Sequence, residues 1–414
     1  MSSDLPGVID HLFRHHAGQM VATLTRILGP ANLSLAEEVV QDALISALQH
    51  WSFNGVPDNP TAWLFRVAKN KALDQLRRES NLREKEPELV RLFTTRAPDD
   101  APAFAHELRD DQLRMMLLCC HPAIPRDSRI ALTLKTVGGF GVDEIARAFL
   151  TKRETIAQRL VRAKRLIRDE QLPIDFPPRH ELAPRLESLL EVLYLLFNEG
   201  YSAHAGDALV RLDVCAEAIR LTRQLVEHPV ATSPAAQALL ALMLLQSARL
   251  PARVDAAGEL ATLAAQDRSL WDWTLVAQGM RALDASAYGD VVTAYHVEAE
   301  IAACHVMARS FEETDWPVII EHYDELAMLK PTPVVLLNRA IAIAMARGPA
   351  AGIAEIEAIA PSLRDYLPLS TTLGELWLRA GNPAEAARHF ARALELPSTL
   401  TEKRFLLRKL AECG

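Results

Sequence analysis

Cysteine is scarce in this 414-residue chain, and what there is forms no framework. The five residues Cys119, Cys120, Cys215, Cys304 and Cys413 are odd in number, two are adjacent, and none is spaced CxxC. Neither a disulfide scaffold nor a zinc knuckle is therefore expected, only small core residues or inert thiols. Long apolar runs are lacking too: Ala238 to Leu245 falls far short of the roughly 20 residues a bilayer-spanning helix needs. The N-terminus, MSSDLPGVIDHLFRHH, has no signal-peptide pattern, so a cytoplasmic protein without a membrane partner is expected. There is no GxGxxG, Walker loop, HExxH or GxSxG. His11 and His15 stand four apart on a helix, as two metal ligands would, but no third ligand accompanies them and His16 lies off that face. No catalytic constellation, cofactor or metal site is expected, and the chain is not expected to be an enzyme.

What remains is ordinary folded material, 50% hydrophobic and 24% charged, long enough for two or three cores. The net charge of -8 conceals a division. Residues 1–180 carry 25 Lys+Arg against 23 Asp+Glu, and residues 181–414 carry 20 against 30, so the halves differ in electrostatic role. Within the first half, Lys152 to Arg168 holds seven basic residues and one acid, Glu154, and Arg66 to Arg78 holds five basic residues and only Asp74. Clusters of that density on single helices are what phosphate contact requires, although one alone is also compatible with a solvated face.

Apolar residues recur every three or four positions almost throughout, and no alternating run is bounded by Asn-Gly or Asp-Gly turns, so the fold class is all-α. Expected helices include 35–51, 61–79, 142–149, 153–169, 181–198, 208–227, 234–248, 252–265, 268–283, 333–347, 350–360, 365–380 and 383–396. Mixed charge with Pro87, Pro98 and Pro102 reads as a flexible linker over 81–105, and Pro177-Pro178 must stop the basic helix. The units expected are thus 1–80, 106–172 and 180–414. In the last, Gly374, Ala380-Gly381-Asn382, Ala386, Phe390 and Pro397 follow the spacing of a tetratricopeptide unit, whereas the pair at 333–360 fits that pattern poorly; a helical-hairpin, TPR-like array is expected.

The segment from Arg126 to Arg168 has helix-turn-helix grammar. Ile145, Ala146 and Phe149 of a short helix point inward, Leu150-Thr151-Lys152 turns the chain, and the next helix buries Ile156, Leu160, Ala163 and Ile167. That leaves Arg153, Glu154, Thr155, Gln158, Arg159 and Arg162 outward, long polar side chains suited to base edges and phosphates. Upstream, Trp63, Leu64, Val67, Ala68, Leu73 and Leu76 make an apolar stripe, with Arg66, Lys69, Asn70 and Arg77 on other faces. Asn suits an exposed base, and an aromatic beside cations suits an unstacked one. The helix from Leu35 presents Glu37, Glu38, Gln41 and Asp42, a face suited to a protein rather than to nucleic acid.

AEEVVQDALISAL, then NPTAWLFRVAKNKALDQLRR, a loose linker and the helix-turn-helix follow one another over residues 8–170 in a way that resembles a bacterial extracytoplasmic-function RNA polymerase sigma factor, with sigma domain 2 before domain 4 and no domain 3. The resemblance implies core RNA polymerase and promoter DNA as partners. It places Glu38, Gln41 and Asp42 on the β′ clamp, domain 4 on the β flap, and Trp63, Arg66, Lys69, Asn70, Arg77 and Arg78 at the minus-10 element. The minus-35 element would be read by Lys152, Arg153, Glu154, Thr155, Gln158, Arg159 and Arg162. The segment from Leu189 to Leu221, with QDRSLWDW and PVVLLNRAIA, resembles a subgroup carrying a fused C-terminal tetratricopeptide-like domain; that likeness implies a regulatory extension and a small DGPF- or YCII-related protein, or a ligand, as its partner. Asn198 and Gly200 read first as a left-handed helix end, and otherwise as part of a groove between extension and sigma domains with Glu199, Tyr201, His204, Asp207 and Arg211. Two rivals stand: a dimeric helix-turn-helix regulator with a helical ligand-sensing domain that acts without polymerase, and an enzyme in the C-terminal half.

Overall fold

The computed structural model describes residues 5–78, 87, 101–149, 151–201, 212–253 and 260–414, with backbone only at 5–15, 76–78, 101–107, 147, 148 and 179. The linker residues 79–86 and 88–100 lie outside that description, as do the side chains of His11 and His15. Among the described residues there is no strand. The helices are α1 (Leu5–Leu28), α2 (Leu33–Asn54), α3 (Pro60–Arg78), α4 (Ala101–Cys119), α5 (Arg126–Thr136), α6 (Val142–Ala148), α7 (Arg153–Asp169) and α8 (Arg179–Tyr201). They continue as α9 (Leu212–Glu227), α10 (Pro234–Ser247), α11 (Trp273–Ser286), α12 (Ala294–Met307), α13 (Trp316–Leu329), α14 (Pro333–Arg347), α15 (Pro349–Ile359), α16 (Leu367–Arg379), α17 (Pro383–Leu394) and α18 (Leu400–Ala411).

Two compact units divide the chain, Met1–Val192 and Leu193–Gly414, so their boundary falls inside α8. Pro177 and Pro178 do separate α7 from α8. The first half of α8 nevertheless bonds to α5, where Arg129 Nη1 donates to Ser188 Oγ at 2.8 Å and Arg126 pairs with Glu191. Side-chain chemistry thus carries the first unit past the prolines.

In the first unit α1, α2 and α3 share a core that includes Leu24, Ile27, Val40, Trp51, Leu64 and Phe65. α1 also packs on α4 and α5. Gly18 permits the closest approach: a Cβ there would lie 2.0 Å from the Val137 carbonyl oxygen, so any other residue would push α1 off the end of α5. Beside it, the buried Asp111 carboxylate takes Arg26 Nε at 2.8 Å and Arg114 Nη1 at 3.0 Å, which satisfies a charge that would be costly to bury alone.

Antiparallel helix pairs build the second unit. α10 is buried almost all round; the span Pro234–Ala252 is long and apolar enough to cross a bilayer, yet 67% of it is buried among neighbouring helices, as for a core helix. At the α16–α17 crossing a Cβ on Gly374 would meet the Phe390 ring at 2.5 Å, and Asn382 Oδ1 caps α17 by accepting from Glu385 N at 3.2 Å. In the pair at 333–360, Gly352 makes a similarly close approach to Ala344, where a Cβ would lie 2.4 Å from the alanine methyl.

Among the described residues of the helix expected over 252–265, which exclude 254–259, no α-helix is found. 3₁₀ turns stand instead at Leu250–Ala252 and Leu263–Ala265. Nor does a helix begin at 268: Asp267 caps a separate 3₁₀ turn by accepting from Ser269 N, and Asp272 accepts from Thr274 N and Leu275 N, which starts α11 at Trp273. Two Asx caps five residues apart compete with one continuous helix. The reading of Gly200 as a left-handed helix end is also corrected. Gly200 lies within α8, is absent from the positive-φ positions, and serves packing, since a Cβ there would be 2.8 Å from Cys215 N and Sγ.

All five cysteines are free, and Cys119, Cys120 and Cys215 are buried. Burial pushes the Cys119 and Cys215 thiols up to about 12, so they pack as unreactive small side chains.

Candidate nucleic-acid interface

The α6–α7 pair has the geometry its sequence predicts. Gly141 N donates to Glu144 Oε2 at 2.7 Å and closes the start of α6, Ile145 and Ala146 are buried and Phe149 half-buried, and Thr151 N returns to the Ala146 carbonyl at 3.0 Å to shape the turn. α7 buries Ile156, Leu160, Ala163 and Ile167, the four expected positions. Its outward surface carries Lys152, Arg153, Glu154, Gln158 and Arg162, exposed, with Thr155 and Arg159 half-buried.

The cations on this surface are not equivalent. Arg153 Nε pairs with Asp143 at 3.1 Å, and Arg159 Nη2 with Asp127 on α5 at 3.0 Å, whereas Lys152 and Arg162 have no ion-pair partner among the described residues. Sequence reasoning passed over Val161, 66% exposed between Gln158 and Arg162. A branched methyl pair in a polar surface suits the methyl of thymine; the signal was its position off the buried stripe.

On α3, Asn59 Oδ1 accepts from Ala62 N at 2.9 Å and fixes the helix start. Arg66 and Asn70, one turn apart, are exposed, and Lys69 is half-buried. The side chains of Arg77 and Arg78 lie outside the described residues. Trp63 is half-buried, stacked with His50 at 5.5 Å and tilted against Trp51 at 5.4 Å. A better-exposed aromatic was missed: Phe53 is 89% exposed at the end of α2, just before Gly55, whose φ of 77° turns the chain toward α3.

The exposed face of α2 holds Glu38, Gln41 and Asp42 together with Ile45 and Leu48, which are 45% and 47% exposed. An acidic rim around exposed aliphatics is the composition of a protein-docking face. Glu37, grouped with them in the sequence, turns away from that face and pairs with Lys164 of α7.

Of the groove residues proposed in the extension, His204, Asp207 and Arg211 lie outside the described residues. Of the described ones, Asn198 and Tyr201 are engaged within the second unit. Asn198 bonds the Tyr194 hydroxyl, which also receives Lys330 Nζ at 3.2 Å, and the Arg253 guanidinium covers the Tyr201 ring at 4.3 Å while donating to its carbonyl. Glu199 Oε2 is buried without a hydrogen-bond partner among the described residues, and burial raises that carboxyl to about 7. A grouping of metal-ligating types was also missed: Glu300, His322 and Glu325 bring ligand atoms within 4.8 Å of one another at half-buried positions.

A basic helix-turn-helix preceded by a helical bundle with a second cationic helix defines a two-region DNA-binding transcription factor. Residues 12–81 match sigma-70 region 2, residues 114–167 match sigma-70 region 4, and residues 185–287 match a family of unknown function, DUF6596. An uncharacterised protein of Rhizobium meliloti is 38% identical over 382 residues, covering 92% of this chain and 90% of that protein. The ECF RNA polymerase sigma factor SigE of Mycolicibacterium smegmatis is 28% identical over 161 residues, 39% of this chain and 60% of that protein. No solved structure matches. The chain is thus a sigma factor carrying sigma-70 regions 2 and 4 and a fused C-terminal helical extension, with weak similarity to an extracytoplasmic-function sigma factor.

Proposed function

We propose that this sigma factor binds core RNA polymerase in the cytoplasm, places it on a minus-35/minus-10 promoter and helps to open the duplex, that it catalyses no reaction itself, and that its extension modulates that activity. The observation that carries the reading is the presence of a cationic recognition helix, α7, and an acidic-aliphatic face on α2 in one compact unit that matches both sigma-70 regions. A DNA-binding regulator acting alone has no use for the second face.

Each surface has one role in this account. Arg162 and Lys152 hold phosphates, while Glu154, Gln158, Val161 and Arg159, once Arg159 exchanges Asp127 for DNA, discriminate among bases. Asn70 and Arg66 meet the minus-10 strand, with Phe53 and Trp63 as stacking surfaces. Glu38, Gln41 and Asp42 frame Ile45 and Leu48 as the polymerase-docking patch. The test is co-elution with bacterial core polymerase followed by run-off transcription from genomic DNA. Specific transcripts are expected. Duplex binding without polymerase association would instead support the stand-alone regulator.

A further inference from the structure

The extension holds two arginines, Arg249 and Arg268, with no ion-pair partner among the described residues. Arg249 follows α10, Arg268 opens the 3₁₀ turn 268–270, and His305 sits in the last turn of α12. The Trp271 ring lies 5.7 Å from the Arg249 guanidinium and 4.5 Å from that of Arg268. Arg268 spends Nη1 on the end of α12, donating to the carbonyls of His305 at 3.2 Å and Ala308 at 2.5 Å. Its Nη2, Arg249 Nε, Trp271 Nε1 and His305 Nδ1 are all buried with no hydrogen-bond partner among the described residues.

No carboxylate among the described residues pairs with either arginine. Glu312 lies within electrostatic reach of Arg268, but it is fully exposed and bonded to Ser310. Burial, and for Arg268 the nearby Arg249 charge, lowers both guanidiniums from their usual value. Burial and then the same two charges hold the His305 imidazole down to about 4, so it is neutral at physiological pH. Buried cations are ordinarily paired and buried N–H groups ordinarily bonded. Orphaned N–H groups of Arg249, Arg268 and Trp271, gathered about one indole, with His305 Nδ1 as a further donor in its Nδ1–H tautomer, form a donor set that an anion would satisfy.

His305 also lines a cavity of about 390 Å³ in the same unit. Its wall is mainly apolar, with Phe311, Trp316, Ile319, Met345 and Phe405. Trp316 meets the His305 ring edge-on at 5.5 Å and Phe311 at 5.3 Å. That volume is on the scale of small-molecule sites.

We propose that the extension binds a small organic anion, a carboxylate or a phosphate ester, whose acidic head is held by Arg249, Arg268 and Trp271 and whose apolar body enters the cavity beyond His305. This goes beyond the sigma-factor reading and does not rest on it, because the binding is measured on the full chain with neither polymerase nor DNA present.

The experiment is calorimetric titration of the purified full chain with phenyl phosphate, phenylacetate, inorganic phosphate and the neutral phenylacetamide, which separates the two anionic heads from each other and from the apolar body. Saturable binding with a Kd of about 1 mM or tighter is expected for at least one aromatic anion. Inorganic phosphate and phenylacetamide are expected to bind at least about ten-fold more weakly, as each lacks one half of the recognition. Arg249→Gln breaks no hydrogen bond in the structure. It is expected to weaken the aromatic anion about ten-fold or more and, by removing an unneutralised cation, to raise the melting temperature of the anion-free chain. Absence of saturable binding by either aromatic anion, equal affinity for the amide or for inorganic phosphate, unchanged affinity in Arg249→Gln, or a lowered melting temperature of that variant would each overturn the proposal.

Discussion

Lys164→Met probes how the two sigma regions are held together. Lys164 of α7 and Glu37 of α2 pair with side chains 22% and 17% exposed, so the contact is mostly withdrawn from water. Glu37 Oε1 already has no hydrogen-bond partner, and loss of the ammonium leaves the other oxygen without its donor too. Leaving a largely buried carboxylate in that condition costs about 2 kcal/mol. For a unit the length of Met1–Val192 that corresponds to a fall of roughly 4–8 °C in its thermal transition. Glu37→Gln removes the charge at the other end, and the double variant should recover about 1–2 kcal/mol relative to the sum of the singles, because the second change abolishes the stranded group. Scanning calorimetry of the full chain, with hydrogen exchange of α2 and α7 to assign the transition, measures the cycle. Single-variant effects that add to within about 0.3 kcal/mol would refute the reasoning and mean that α7 is not held to α2 by this pair.

The other expectations concern separate surfaces. Gly374→Val drives a side chain into the Phe390 ring and should destabilise the C-terminal hairpins by about 1–3 kcal/mol, measured by urea unfolding followed through their hydrogen exchange. Glu199 is protonated more readily folded than unfolded, so its contribution to stability is complete below the unfolded value of 4.5 and is lost as pH rises toward about 7. Glu199→Gln should therefore raise the melting temperature at pH 8 more than at pH 5; an equal change at both would contradict the raised carboxyl. Arg162→Ala should lower the slope of log K against log salt by about 0.9 in promoter binding, as one phosphate contact is lost. Across a promoter panel Arg159→Ala should weaken one class selectively and Arg165→Ala all alike, and equal losses would remove Arg159 from base reading.

The helix-turn-helix was legible because its information is local. A 3.6-residue period assigns Ile156, Leu160, Ala163 and Ile167 to one face, and the remaining face follows by subtraction. The same holds for the Gly374–Phe390 crossing, whose spacing is a local pattern. Legibility ended where short polar caps competed with apolar periodicity: Asp267 and Asp272 divide a segment that reads as helix, and only the folded chain decides which hydrogen bonds win. Gly200 was misread for the related reason that a glycine needed for close approach and one needed for positive φ look alike until the neighbour, Cys215, is in place.

Sequence alone therefore determined the all-α class, the order of sigma region 2 before region 4, and the buried face of the recognition helix, all properties set within a few turns of chain. Tertiary structure decided which charges are free. Among the described residues Arg153 and Arg159 are paired and Arg162 is not, Glu37 leaves its acidic neighbours for Lys164, and Arg249 and Arg268 meet across Trp271 with no carboxylate paired to either. Pairing depends on distances between residues far apart in the chain, and a periodic pattern along one helix carries no information about the side chain that faces it from another.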